Sequence, residues 1–225
     1  MFIRPHVAVG YVWLIAFDVD GTLLERPRSS WALLHEVLGT ENKAKLHREW
    51  FRKGLITYHE WARLDASLWK GLKVDEILHK IRDKVKLREG AKELLEKLRS
   101  YDVKIALLSS GVDLVLRHAL DNLEVDYLVC NSLASRNGVL TGEVIVRVDF
   151  YGKGRILKKL RSQLGVPKHR VIAIGDEVND IAMFEEAAFS IAYNPSSKEV
   201  VSKARYVIIS PKLNVLEDLI FSLIS

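Results

Sequence analysis

Residues Val12–Leu23 read VWLIAFDVDGTL: six apolar residues, then two aspartates two positions apart, then glycine and threonine. The apolar run, Val12 to Phe17, has the length and composition of a buried strand. Two ionisable groups at its exit must reach solvent or be held by positive charge. If the extended geometry persists, Asp18 and Asp20 project to one side and Val19 to the other. A turn in which one aspartate caps the following element accounts for the pair equally well at this point.

Working outward, the character of the chain changes after this strand. From about Glu25 to Lys86 helical periodicity dominates, with helices expected over Ser30–Leu38, Glu41–Arg52, Tyr58–Trp69 and Val74–Val85, and Thr57 as an N-cap. Four of the five tryptophans, Trp31, Trp50, Trp61 and Trp69, fall in this block. Beyond it helix and strand alternate. REGAKELLEKLRS is an amphipathic helix, VKIALLSS a buried strand, VDLVLRHAL a helix and DYLVCNSL a strand. A hairpin is expected at Asn137-Gly138. Helix GRILKKLRSQL, strand RVIAIGD, helix DIAMFEEA, strands FSIAY and RYVIIS, and helix NVLEDLIFSLI complete the chain. Alternating βα units imply a mostly parallel sheet covered on both faces. The fold class is therefore α/β, interrupted early by a helical insertion.

The 225-residue length suits one large domain carrying such an insertion. With 48% hydrophobic and 28% charged residues the composition is that of a globular chain, which excludes a disordered one. A net charge of +5 favours anionic partners without choosing between nucleic acid and a phosphorylated metabolite. Cys130 is the only cysteine, so an intrachain disulfide is excluded. Aspartates rather than a small-residue cleavage site follow the apolar N-terminal stretch, and no segment reaches a membrane span, so a cytoplasmic protein is expected.

Three apolar strands end in polar residues: IAFDVDGT, IALLSSG and IAIGDEVND. In a parallel sheet these exits share one edge, where ligands bind. Ser109, Ser110 and Gly111 would offer hydroxyls and backbone N–H groups to an anion there, or simply cap a helix. Asp176 and Asp180, with Asn179 between them, add two more carboxylates, readable also as a cap and a dipole partner. Four carboxylates at one edge repel unless a cation joins them, and a hard, oxygen-seeking ion such as Mg²⁺ suits them. The histidines are scattered and give no zinc spacing. Lys153 and Arg155 stand at a helix start, where the dipole disfavours cations, which makes sense beside an anion.

DVDGT, LLSSG, GKG and GDEVND in this order resemble the haloacid dehalogenase superfamily of phosphatases, and the likeness runs from about Tyr11 to the C-terminus. NGVLTGEV, KGRIL and NDIAMF are most similar to the phosphoserine phosphatase branch. The resemblance implies a Rossmann-like three-layer core, residues 1–24 and 87–225, with a small α-helical cap at 25–86. It implies that Asp18 is the nucleophile and Asp20 the acid and base. Mg²⁺ would be held by Asp18, Asp20 (through its carbonyl) and Asp176, with Asp180 and Asn179 in support. Ser109 and Lys153, with Ser110 and Gly111, would hold the phosphoryl group. An acid at Asp20 argues for phosphoryl transfer rather than dehalogenation.

The branch carries a glutamate seven residues past the second aspartate and a cap arginine, which recognise the amine and carboxylate of phosphoserine. Here those positions are Pro27 and Asp65, with Glu25 and Arg63 nearby. The cap tryptophans suggest either a cap core or a surface for an aromatic leaving group. The expected partner is thus a small phosphorylated metabolite. A phosphotransferase or phosphomutase would use the same aspartyl phosphate. A basic nucleic-acid-binding module, suggested by KAKLHREWFRK and KGRILKKLRSQLGVPKHR, is the remoter alternative, since charge runs on helices are usually solvated faces.

Overall fold

The computed structural model describes residues 12–121 and 123–225. The leader reading, and the first eleven residues of the expected core segment, lie outside the described residues. The strands are β1 (Trp13–Phe17), β2 (Leu24–Arg26), β3 (Lys86–Leu87), β4 (Val103–Val112), β5 (Tyr127–Arg136), β6 (Val139–Ile145), β7 (Val171–Gly175), β8 (Phe189–Tyr193) and β9 (Tyr206–Ile208). The helices are α1 (Ser30–Leu38), α2 (Glu41–Arg52), α3 (Tyr58–Ser67), α4 (Val74–Ile81), α5 (Ala91–Arg99), α6 (Asp113–Ala119), α7 (Lys153–Gln163), α8 (Ile181–Phe184), α9 (Lys198–Lys203) and α10 (Leu216–Ile224).

Seven strands form one sheet in the order β6-β5-β4-β1-β7-β8-β9. β1 runs parallel to β4 on one side and β7 on the other, with Ile15 level with Ile105 and Ile172. Only β6 is antiparallel, paired to β5. The period-2 alternation of β1 sorts its residues between two cores. Ile15 and Phe17 pack with Leu94, Leu98, Leu216 and Ile220, from α5 and α10. Leu14 and Ala16 pack with Leu157, Leu160, Met183 and Val200, from α7, α8 and α9. The continuous apolar run is thus explained: both faces of the strand are covered, giving three layers.

Helices α1 to α4 fall between β2 and β3 in the chain, the segment expected to form the cap, and pack against β4, α6 and the β5–β6 hairpin. α1 is capped by Ser29 Oγ, which accepts from Ala32 N, and it ends at Gly39 in the left-handed region with φ 68°. The expected Thr57 cap is present as a reciprocal box with Glu60. Two helices are shorter than expected. α3 stops at Ser67, where Leu68–Trp69 turn, and α4 stops at Ile81. The DIAMFEEA helix is likewise reduced to a single turn at Val178–Asp180 followed by α8.

Leu33, Leu34, Trp69, Ile77 and Ile81 of the cap share a core with Val112, Val115, Leu133 and Leu140 of the sheet domain. The β5–β6 hairpin also hydrogen-bonds to the cap. Gly71 N donates to Leu140 O and Leu140 N to Leu72 O, both at 2.9 Å. The short antiparallel pair β2–β3 marks the two covalent crossings. Among the described residues, no helix is long and apolar enough to cross a membrane.

Candidate active site

β1, β4 and β7 all end at one edge, at the point where the chain leaves β1 for opposite sides of the sheet. Ligand-binding crevices form at such switch points. Asp18 N still donates to Ile174 O at 2.8 Å, so its side chain emerges from a backbone fixed to β7. The chain then turns sharply: Leu24 N donates to Val19 O at 2.9 Å, and Gly21 takes φ +96°. Val19 is buried in the core, as the two-residue spacing of Asp18 and Asp20 requires. The same turn is held from outside by Arg88, whose Nη2 donates to Gly21 O at 2.5 Å and Nε to Thr22 O at 2.8 Å.

Asp18, Lys153, Asp176 and Asp180 are each no more than 3% exposed. Ligand oxygens of the three aspartates lie within 4.8 Å of one another. Lys153 Nζ donates to Asp18 Oδ1 and, at 2.5 Å, to Asp180 Oδ1. Asp180 Oδ2 accepts from the N–H groups of Asp176 and Glu177 at 2.9 and 3.0 Å. Thr22 Oγ1 donates to Asp176 Oδ1 at 3.1 Å. Asp180 therefore spends both oxygens inside the protein, whereas Asp18 Oδ2 is buried with no partner. The Asp20 carboxylate does not join this cluster. Its Oδ2 accepts from both the N–H and the hydroxyl of Ser30 at 2.8 Å, while Oδ1 is left unpartnered.

Burial raises the pKa of Asp18 well above the usual carboxylate range; Lys153 works against this, and Asp180 and Asp176 reinforce it. Asp176 is pushed up to about 7 by burial and by Asp180. Burial works against the Lys153 ammonium, but Asp18 and Asp180 outweigh it and hold its pKa above the ordinary value. Burial also raises Asp20, with the Ser30 hydrogen bonds opposing. Crowded carboxylates and an orphaned buried oxygen suit a hard divalent cation, and oxygen donors of this kind fit Mg²⁺.

The second strand exit differs from expectation. β4 does not stop at Ser110 but pairs on to Val112, with a bulge between Leu108 and Val112, and α6 starts only at Asp113. The N–H groups there are already engaged: Gly111 N donates to Ser109 Oγ at 2.9 Å and Val112 N to Ser30 Oγ at 3.0 Å. The hydroxyl of Ser109 still lines the pocket beside Asp18 and Asp20. Ser110 and Gly111 line the same pocket, and Ser110 also bonds to α1 and α3. Its carbonyl accepts from Trp31 Nε1 and Tyr58 Oη, each at 3.0 Å, and from Asn131 Nδ2 at 2.8 Å. Asn179 Nδ2 donates to Ser110 Oγ at 3.2 Å, leaving Asn179 Oδ1 without a partner. Ser30, Arg88 and Asn131 were not singled out from the sequence, and no local motif marks them.

The chain belongs to the haloacid dehalogenase-like hydrolases, whose family model matches residues 15–185. Within that class it falls in the phosphoserine phosphatase-like branch. A phosphoserine phosphatase of Archaeoglobus fulgidus is 35% identical over 84% of this chain. The chain spans 54% of that relative's length. One from Methanocaldococcus jannaschii is 30% identical over 80% of this chain and 84% of its own. A substrate-bound phosphoserine phosphatase structure superposes with a TM-score of 0.78 at 27% identity, covering 92% of this chain and 98% of the other.

Proposed function

We propose that this hydrolase cleaves a small-molecule phosphomonoester with Mg²⁺, the phosphoryl group passing through Asp18. One observation carries the reading: three of the buried polar atoms left without a partner, Asp18 Oδ2, Asp20 Oδ1 and Asn179 Oδ1, belong to residues lining one cavity. Buried polar groups are otherwise nearly always paired, so these mark where a ligand belongs.

In the first step the Asp18 carboxylate attacks phosphorus and the bond to the leaving oxygen breaks. Asp20 gives that oxygen its proton, and its raised pKa favours the protonated form this demands. In the second step the Asp20 carboxylate takes a proton from water, which attacks the aspartyl phosphate and frees Asp18 and inorganic phosphate. Lys153 keeps its charge and neutralises the phosphoryl oxygens from beside Asp18, with Ser109 supplying a hydroxyl. Asp18 and Asp176 would hold Mg²⁺ with the Asp20 carbonyl, and Asp180 would keep Lys153 and the Asp176 backbone in place. When bound, the ion reduces the repulsion between a carboxylate nucleophile and a phosphate dianion.

Residues 25–86 act as the cap over this site. The relatives are named for phosphoserine, which makes it the first ester to test. A cytoplasmic setting accords with the single buried thiol, Cys130, which burial holds protonated with a pKa of about 11. The test is hydrolysis of p-nitrophenyl phosphate with and without Mg²⁺, repeated on Asp18→Asn. Turnover that needs the metal and vanishes in the variant is expected; turnover retained by Asp18→Asn would require another nucleophile.

A further inference from the structure

The carboxylates form only the floor of their pocket. The cavity has a volume of about 760 Å³ and extends from Asp18 and Asp20 up between the cap helices. Pockets of roughly 300–1,000 Å³ take drug-sized ligands, so a serine-sized leaving group would leave most of this space to water. The lining follows helical spacing. α2 presents Ala44, Arg48, Phe51 and Arg52, and α3 presents Tyr58, Trp61, Ala62 and Asp65.

Two features of this upper wall point to a ligand. The first is aromatic. Phe51 lies 4.9 Å from Trp61 and 5.8 Å from Phe150, and Tyr58 lies 6.0 Å from Trp61, so the rings form a continuous surface. The small side chains of Ala44 and Ala62 leave room beside it. The Trp61 indole N–H is buried without a partner. The second is charge. Arg48 and Arg52, one turn apart on α2, are exposed at the pocket and form no ion pair among the described residues. Glu177 is the one exposed acid in the lining.

The wall is also unsuited to an amino-acid head. Asp65, at the place of the expected arginine, hydrogen-bonds to His47 Nδ1 at 2.7 Å, and its other oxygen lies 3.1 Å from His35 Nε2, which makes no hydrogen bond. Glu25 pairs with Lys86 at 2.6 Å, on the β2–β3 ribbon. Neither Pro27 nor Arg63 lines the pocket. Among the described residues no arginine or lysine pairs with Asp65, and the exposed cations of the lining are Arg28, Arg48 and Arg52.

We infer that the preferred substrate is a phosphomonoester of a flat, apolar alcohol, of the arylalkyl class, that carries a second anionic group at its far end. The ring stacks on Phe51, Tyr58 and Trp61, and the distal anion meets Arg48 and Arg52. This rests on the reading of the floor as a phosphomonoesterase site.

The experiment compares four primary-alkyl esters, which keeps the leaving-group chemistry similar: ethyl phosphate, 2-phenylethyl phosphate, 2-(4-carboxyphenyl)ethyl phosphate and phosphoserine. Binding to Asp18→Asn is followed in parallel by tryptophan fluorescence. The expected order of kcat/KM is carboxyphenylethyl over phenylethyl over ethyl, each step about tenfold, with phosphoserine below phenylethyl. The double variant Arg48→Gln/Arg52→Gln loses the carboxylate's advantage and leaves 2-phenylethyl phosphate within about threefold of the parent. Phosphoserine processed best, equal values for ethyl and phenylethyl esters, or a carboxylate advantage that survives the double variant would each overturn the inference while leaving the phosphatase reading intact. Binding in the expected order without any turnover by the native chain would instead sink the phosphatase reading and uphold the pocket assignment. Neither turnover nor that order of binding would remove both.

Discussion

Lys153 Nζ stands 2.5 Å from Asp180 Oδ1 at the first residue of α7, where the helix dipole disfavours a cation. Asp18 on the other side completes the compensation. Among the described residues, the Lys153 ammonium is the one cation paired with this cluster of three buried carboxylates, and removing it should be felt by the whole fold. Lys153→Met is expected to abolish phosphatase activity and to cost about 3–5 kcal/mol at pH 7 in metal-free protein, the usual penalty for a buried charge left alone. The loss should shrink as pH falls and the carboxylates take protons. Urea unfolding at pH 7 and pH 5 measures both, and a variant as stable as its parent at pH 7 would contradict the ion-pair account.

Asp176 gives the pH dependence of the metal-free protein its sign. Its pKa is about 7 in the fold, against an ordinary 3.8. Between those values the folded state holds a proton that the unfolded state has released. Stability from this group is therefore complete below about pH 3.8 and is lost as pH rises through 7. Mg²⁺ needs the deprotonated form, so it should raise the melting temperature more at pH 8 than at pH 5.5. Equal shifts at the two pH values would show that Asp176 is not a ligand.

Gly21 couples backbone and cluster. It has φ +96°, and a methyl group there would collide with Asp176 Oδ2. Gly21→Ala should weaken Mg²⁺ binding at least tenfold and reduce stability by about 1–2 kcal/mol through backbone strain. Titration calorimetry with Mg²⁺ separates the two effects; unchanged affinity would mean that the turn does not position Asp176.

Much of this site could be read from the sequence because its parts sit at strand exits. Asp18, Ser109 and Asp176 each follow an apolar run, and parallel strands bring such exits together without any knowledge of packing. Lys153 was visible for the opposite reason, as a cation where a helix should repel one. Ser30 carried no such sign: a serine at a helix start is ordinary, and only the folded chain shows it bound to Asp20. Asn131 lies inside β5, yet it bonds Ser110 O, Val148 O and the Arg147 and Val148 N–H groups, from neighbours distant in sequence. α9 was missed because six residues give too little periodicity, and β2 and β3 because two or three residues give none. The tryptophans divide on a similar point. Trp69, in the turn after α3, is fully buried, whereas Trp31 and Trp61, on α1 and α3, line the pocket, which no helical periodicity over Tyr58–Trp69 could separate.

Ser30 also bears on the acid proposed at Asp20. Its hydroxyl lowers the pKa of Asp20, which burial has raised. Ser30→Ala removes one hydrogen bond to a carboxylate, about 1.5–3 kcal/mol or roughly one to two pH units. The basic limb of the kcat/KM profile, where the acid loses its proton, should move upward. A limb that stays in place would assign the acid elsewhere.

The Ser110 carbonyl is where cap and core close on each other. Trp31 and Tyr58 donate to it from α1 and α3 and Asn131 from the sheet, so moving these helices away from the sheet would break both bonds. The β5–β6 hairpin adds a second tie through the Gly71–Leu140 and Leu72–Leu140 hydrogen bonds. Trp31→Phe combined with Tyr58→Phe keeps an aromatic ring at each position and removes both donors, about 1 kcal/mol each. The cap should then stay open longer, raising KM about tenfold while kcat changes much less, or even rises if product release limits turnover. Amide exchange should quicken in α1 and α3 and remain unchanged in β1 and β7. If exchange in α1 and α3 matches the parent, the Ser110 carbonyl does not hold the cap, and the shared apolar core with the β5–β6 hairpin bonds is left to do so.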